Sequence, residues 1–167
     1  METAEIGSTP SDEEMRKVLK PTATEQDVVK VLQTSYAKAD DHSSIKIVRQ
    51  LDSYDDCNFL VEIAGTSYLL KIHNGVESRD YLQTVQAADG DYHKAGHQGS
   101  VIHLQTAVMQ VLTSQGIQTS APILPIDSKI PLTVHNLSVS SAEHSPTDLV
   151  VRLFFWYVHV FTYILYR

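Results

Sequence analysis

A chain of 167 residues, 43% hydrophobic, is sized for one globular domain with a real core. Its formal net charge of −7 repels a phosphate backbone, so nucleic acid is excluded as an expected partner. Cys57 is the only cysteine and Met1 to Lys20 holds no apolar run of signal-peptide length, so the expected location is the cytoplasm, without internal disulfides.

Residues 1–20 are polar and acidic, contain Pro10, and read as a disordered leader. Thr22-Ala23-Thr24-Glu25 then matches a capping box, and Val28, Val31, Leu32 and Tyr36 follow at helical spacing, which predicts a first helix over 23–36. Three strands are expected next, over 45–51, 58–64 and 67–73. The turn-forming block Asp52-Ser53-Tyr54-Asp55-Asp56 separates the first two, and Ala64-Gly65-Thr66 joins the others. Short turns between them make an antiparallel meander, which disfavours a Rossmann arrangement.

The stretch 81–100 shows neither a period of two nor one of 3.6 and reads as an irregular insertion. A second helix follows, with Val101, Leu104, Val108, Val111 and Leu112 on its apolar face, Ser100 at its start and Gly116 at its end. Pro122, Pro125 and Pro131 punctuate apolar pieces suited to edge strands, and Leu149-Val150-Val151-Arg152-Leu153 is the last expected strand. The fold class is therefore α+β: an antiparallel sheet of about five strands with one main packed helix and an N-terminal helix.

The chemically informative block is Leu51 to Phe59 followed by Tyr68-Leu69-Leu70-Lys71-Ile72. A strand, a polar loop, a returning strand and a third strand ending in an apolar-flanked lysine is how kinase-like folds hold nucleotide phosphates. The residues alone favour a lysine snorkelling at a strand end beside an Asp pair that caps a turn.

Ser53-Tyr54-Asp55-Asp56-Cys57-Asn58-Phe59 is similar to a loop in the hydroxylysine-phosphorylating branch of the aminoglycoside phosphotransferase family. Lys20-Pro21-Thr22, Leu70-Lys71-Ile72-His73-Asn74, Leu104-Gln105 and Leu149 to Leu153 resemble that branch in the same order, so the likeness covers about 20–80 and 101–153. The resemblance implies a protein-kinase-like N-terminal lobe over 21–153, with GTP (or ATP) and Mg2+ as cofactors and a hydroxylysine-like amine as substrate. Ser53, Tyr54, Asp55, Asp56, Asn58 and Lys71 would bind the nucleotide. The helix position facing the lysine, where the family carries a glutamate, is matched by His103, a departure that weakens the expected pairing.

A phosphotransferase of this kind uses an Asp base with an Asn five residues later, and a second metal-binding Asp before Phe-Gly. The only asparagines are Asn58, Asn74 and Asn136, preceded at that spacing by Ser53, Leu69 and Pro131, and no Phe follows an Asp. No catalytic residue is therefore expected in this chain. Residues 154–167 hold seven of the thirteen aromatics and read as an aberrant tail standing where a catalytic lobe would begin. Their uncharged run is shorter than the ~20 residues of a membrane span, so membrane association is not expected. His93, His97 and His103 lack partners at metal-ligand spacing, and no metal site is expected. Three functional readings stay open: a small-molecule kinase (its acceptor open to choline-like or aminoglycoside alternatives), a non-catalytic binding remnant, and a small membrane-associated protein.

Overall fold

The computed structural model describes residues 10–88, 100–117, 119–141 and 145–156. It is an α+β arrangement with one five-stranded, wholly antiparallel sheet in the order β1-β2-β3-β5-β4. The strands are β1 (Lys46–Leu51), β2 (Cys57–Ile63), β3 (Thr66–Ile72), β4 (Thr133–Leu137) and β5 (Thr147–Phe155). The helices are α1 (Asp12–Val18), α2 (Glu25–Ser35), α3 (Gly75–Ala87) and α4 (Val101–Ser114), with a 3-10 turn at Ala39–Ser44. None of the described helices is long and apolar enough to cross a membrane.

The meander forms as its alternation dictates. Cys57, Phe59, Val61 and Ile63 of β2 are buried while the residues between them are only half-buried, the signature of a strand with one face on a core. Ala64 and Gly65, at φ 48° and 79°, make the two-residue β2–β3 turn, and a turn of this hand fits the twist of the paired strands. Leu70 and Ile72 of β3 and Leu149, Val151 and Leu153 of β5 extend the same face, which packs on Leu19, Val28, Val31 and Leu32. Helix α2 starts at Thr24 rather than Thr22: the Thr24 hydroxyl takes the Asp27 amide at 3.2 Å, and the Asp27 carboxylate takes the Thr24 amide at 2.9 Å.

Four expectations are corrected. The leader is not disordered from residue 11 onward, because Ser11 and Glu14 form a reciprocal capping box on α1, and Leu19 behind it is buried. Gly75 sits against Leu19: a Cβ there would stand 2.8 Å from the Leu19 Cβ, so only glycine admits this approach. The stretch from Tyr81 is not irregular up to Ala87, since α3 runs through it from an Asn74 cap whose side chain accepts the Val76 amide at 2.9 Å. The aromatic tail does not begin at 154, because Phe154 pairs with Leu69 and Phe155 with Tyr68, and Pro122 bridges to Phe154. Residues 1–9, 89–99 (with His93 and His97) and 157–167 lie outside the described residues.

The fourth correction concerns the second predicted helix, α4. Its bounds hold, and Gly116 at φ 76° closes it, its amide bonding Thr113 O while the Ile117 amide bonds Leu112 O, both at 3.0 Å. Its orientation does not: Val101, Leu104, Val108 and Val111 face outward, Leu104 being 63% exposed, and Ile102, His103 and Thr106 are buried instead. The reason lies in β5. Arg152 is 1% exposed within the sheet face that α4 covers, and its donors require acceptors. Thr106 Oγ1 and Gln105 Oε1 supply them at 3.0 and 2.8 Å, which turns the polar side of α4 inward. Satisfying a buried guanidinium outweighs burying four aliphatic side chains.

Candidate functional site

The second sheet face differs from the first. Asn58, Lys71 and Arg152 stand directly opposite one another on β2, β3 and β5, a polar row across three strands. Helices α3 and α4 cover only part of this face, through Tyr81 and Ile102, which cluster with Leu132 and with Val150 of β5. Between the remainder and α4 lies a cleft of about 330 Å3, whose walls include Leu69, Lys71, Gln105, Met109, Arg152 and Phe154. A second cavity of about 250 Å3 adjoins the 52–56 loop and is lined by Lys20, Gln50, Leu51, Asp52, Ser53 and Asp56.

An ion pair joins the two cavities. The Lys71 ammonium, in the cleft, bonds Asp56 Oδ2, in the loop cavity, and Asp56 Oδ1 accepts the Asn74 amide at 2.9 Å. The loop is held from below by α1 and the segment after it. Lys20 Nζ donates to the Ser53 and Tyr54 carbonyls, both at 2.9 Å, and Arg16 pairs with Asp55 at 2.6 Å. Asn74 Nδ2 bonds the Asp55 carbonyl at 3.0 Å and the Arg16 carbonyl at 2.8 Å. With the loop carbonyls committed in this way, the amides of Ser53, Tyr54 and Asp55 donate to no acceptor among the described residues.

A second chain of contacts runs beneath. Arg16 reaches Glu77 at 3.3 Å, Glu77 meets His73 Nδ1 at 3.2 Å, and His73 Nε2 accepts from Arg152 Nε at 2.8 Å. Since Nε2 is an acceptor, Nδ1 carries the proton and donates it to Glu77. Burial, first, and the Arg152 charge push the His73 pKa down, keeping the imidazole neutral. The hydrogen bond from His73, foremost, and the Arg16 guanidinium hold the Glu77 carboxyl down to about 2.

The expected site residues are thus partly brought together. Asp56 and Lys71 meet, Asn58 lies opposite Lys71 with its Oδ1 buried and without a hydrogen-bond partner among the described residues, and Ser53 borders the loop cavity. Tyr54 turns outward and donates its hydroxyl to Glu13, and Asp55 is taken by Arg16. His103 does not line the cleft with the lysine: it stacks on Tyr81 of α3, ring centroids 4.7 Å apart, while Gln105 and Met109 share the cleft with Lys71. Arg16, Lys20, His73, Asn74, Glu77 and Arg152 were not expected at the site. A signal existed for Arg152, a lone charge inside the apolar run Leu149 to Phe155, and for the basic pair Arg16 and Lys20 in an acidic leader.

No protein-family model, curated protein or solved structure matches the chain.

The chemistry of the donor set fits an anion better than a bare metal ion. The cleft is near the lower size of small-molecule sites, roughly 300–1,000 Å3, and carries two cations on its walls. Asp56, His73 and Glu77 do bring ligand atoms within 4.8 Å of one another. However, Asp56 is shared between Lys71 and Asn74, and both His73 nitrogens are engaged, so a cation would have to displace Lys71 and Arg152. Mg2+, which favours octahedral oxygen ligands, does not fit these three residues.

Proposed function

We propose that this lobe binds the phosphates of GTP or ATP between Lys71 and the 52–56 loop, as part of a hydroxylysine-kinase-like phosphotransferase. The observation that carries the reading is the juxtaposition of the Lys71 ammonium, on the wall of an open cleft, with a loop whose amides at Ser53, Tyr54 and Asp55 are uncommitted among the described residues. Uncommitted loop amides, and an ammonium tied to that loop through Asp56, are the kinds of donor that anionic oxygens require. Arg152, buried beside Lys71, adds positive potential to the cleft without needing to touch the ligand. Mg2+ would arrive with the nucleotide, its coordination coming from phosphate oxygens and water.

The acceptor, a 5-hydroxylysine-like amine, rests on the loop resemblance alone. The 167 residues contain no Asp-to-Asn catalytic loop, so we infer binding without phosphoryl transfer by this chain itself. That inference favours the non-catalytic module over the enzyme as a description of this polypeptide.

Equilibrium dialysis with labelled GTP and with ATP, each with Mg2+, tests the reading. The native chain is expected to retain nucleotide and Lys71→Ala to lose at least tenfold in affinity, about 1.4 kcal/mol. Adding hydroxylysine is expected to yield no phosphorylated product. Turnover that disappears in Lys71→Ala would overturn the non-catalytic description, and absence of any nucleotide retention would overturn the site.

A further inference from the structure

The geometry points to Asp56 as the positioning residue for Lys71: its carboxylate is a fixed post that aims the ammonium, and it is not itself a ligand contact. The inference deepens the nucleotide reading and rests on it for its purpose.

The carboxylate is held from two sides. Oδ2 takes the Lys71 ammonium and Oδ1 takes the Asn74 amide, in a residue only 8% exposed. Asn74 is rigid in turn, since its Nδ2 bonds two carbonyls and its Oδ1 caps α3. Asp56 is therefore anchored to the start of a helix although it belongs to a loop. A lysine has four rotatable side-chain bonds and three donors, so without such a post its ammonium would sample a wide volume.

No other group competes for the role. Helix α4, which faces Lys71 across the cleft, contains no acidic residue. Asp55 is committed to Arg16, and Glu77 to Arg16 and His73. Among the described residues Asp56 is the one carboxylate paired with Lys71. One ammonium donor meets Asp56, and the other two remain for an anion in the cleft. The arrangement also couples the two cavities: a displacement of the loop at Asp56 carries the Lys71 ammonium with it. A carboxylate in this place has an alternative effect, occupying the lysine as an internal anion and opposing phosphate. The two effects predict opposite responses when the charge is removed.

Asp56→Asn separates them, because the amide keeps an oxygen for the Asn74 N–H and removes the charge. Two readouts are needed on the full chain. The first is a lysine-selective nitrogen NMR spectrum, in which the Lys71 ammonium gives a signal protected from exchange, assigned by its absence in Lys71→Arg. The second is GTP affinity. The positioning role predicts loss of that signal in Asp56→Asn, and GTP binding weakened about tenfold, or ~1.4 kcal/mol. It also predicts that Asp56→Asn with Lys71→Ala binds no more weakly than Lys71→Ala alone. Asp56→Glu, which keeps the charge and displaces it by one methylene, is expected to fall between native and Asp56→Asn, and serves as the readout if Asp56→Asn does not fold. Unchanged or tighter binding in Asp56→Asn, or additive losses in the double variant, would overturn the proposal. If the native chain shows the protected signal yet binds no GTP, the nucleotide reading falls, and the response of that signal to Asp56→Asn still supports or overturns the post.

Discussion

The two faces of the central sheet are built from alternate residues of the same strands and follow different rules. On one face Phe59, Leu70 and Leu153 pack on α2 and Leu19 in an apolar core. On the other, the residues next in sequence, Asn58, Lys71 and Arg152, line up as a polar row beside a cleft. A one-residue step along a strand therefore crosses from the apolar core to the polar row beside the cleft. The period of two that builds the sheet also segregates the two tasks.

The sharpest way to break this comparison is to truncate neighbours on β3. Leu70→Ala removes a fully buried side chain from the packed face and is expected to cost about 2–5 kcal/mol. Leu69→Ala, one position earlier, opens onto the cleft and is expected to cost less than half as much while weakening ligand binding. Urea unfolding of both variants with GTP dialysis makes the test. Equal losses of stability would mean that the cleft face is packed as tightly as the other.

The strands were legible in the sequence because one buried face imposes strict alternation, and Lys71 stood out as a charge closing an apolar strand. The SYDD loop was legible through its turn residues. Helix α3 was not, because its buried residues are Gly75, Ser78 and Tyr81, small or polar groups that leave no apolar stripe. Helix α1 has no fully buried residue, only Met15 and Val18 half-buried against the core, and its one clear sequence signal is the Ser11 to Glu14 capping spacing. The face of α4 was misassigned because the deciding residue, Arg152, lies 46 positions from Thr106, and periodicity within a helix carries no trace of such a partner. The same holds for Arg16, whose loop partner Asp55 is 39 positions away.

Acid should attack the polar side first. Glu77 has a folded pKa of about 2, below its ordinary 4.5, so its contribution is complete above about pH 4.5 and is lost as pH falls toward 2. His73 is also lowered, from 6.5, so the unfolded chain takes up its proton first, and that contribution is lost as pH falls below about 6.5. Both signs agree. Stability measured by urea midpoint is expected to be flat between about pH 7 and 8, to decline from about pH 6.5 and to decline more steeply below about 4.5. Glu77→Gln is expected to make the lower part of that decline shallower. A native profile that stays level from about pH 7 down to about pH 2 would show that the Arg16–Glu77–His73–Arg152 chain does not stabilise the fold.

The smallest effect separates the two ends of the β2–β3 hairpin. The 52–56 loop precedes β2 and the Ala64-Gly65 turn follows it, so the turn stands about 20 Å from the site, at ~3.3 Å per residue. Ala64 adopts φ 48°, a left-handed conformation that burdens a residue with a Cβ, while Gly65 at 79° bears it freely. Asparagine tolerates this region, and Asn-Gly is the favoured pair for a turn with both central φ values positive. The exposed side chain meets no steric barrier, and the Ala64 amide keeps its bond to Ser44 Oγ at 3.0 Å. Ala64→Asn is expected to raise stability by about 0.5–1 kcal/mol, with an unchanged urea m-value and unchanged GTP affinity. Added stability accompanied by altered GTP affinity would mean that the hairpin transmits strain along its length to Asp56 and Lys71, and that the loop end is not set by its own contacts with Arg16, Lys20 and Asn74.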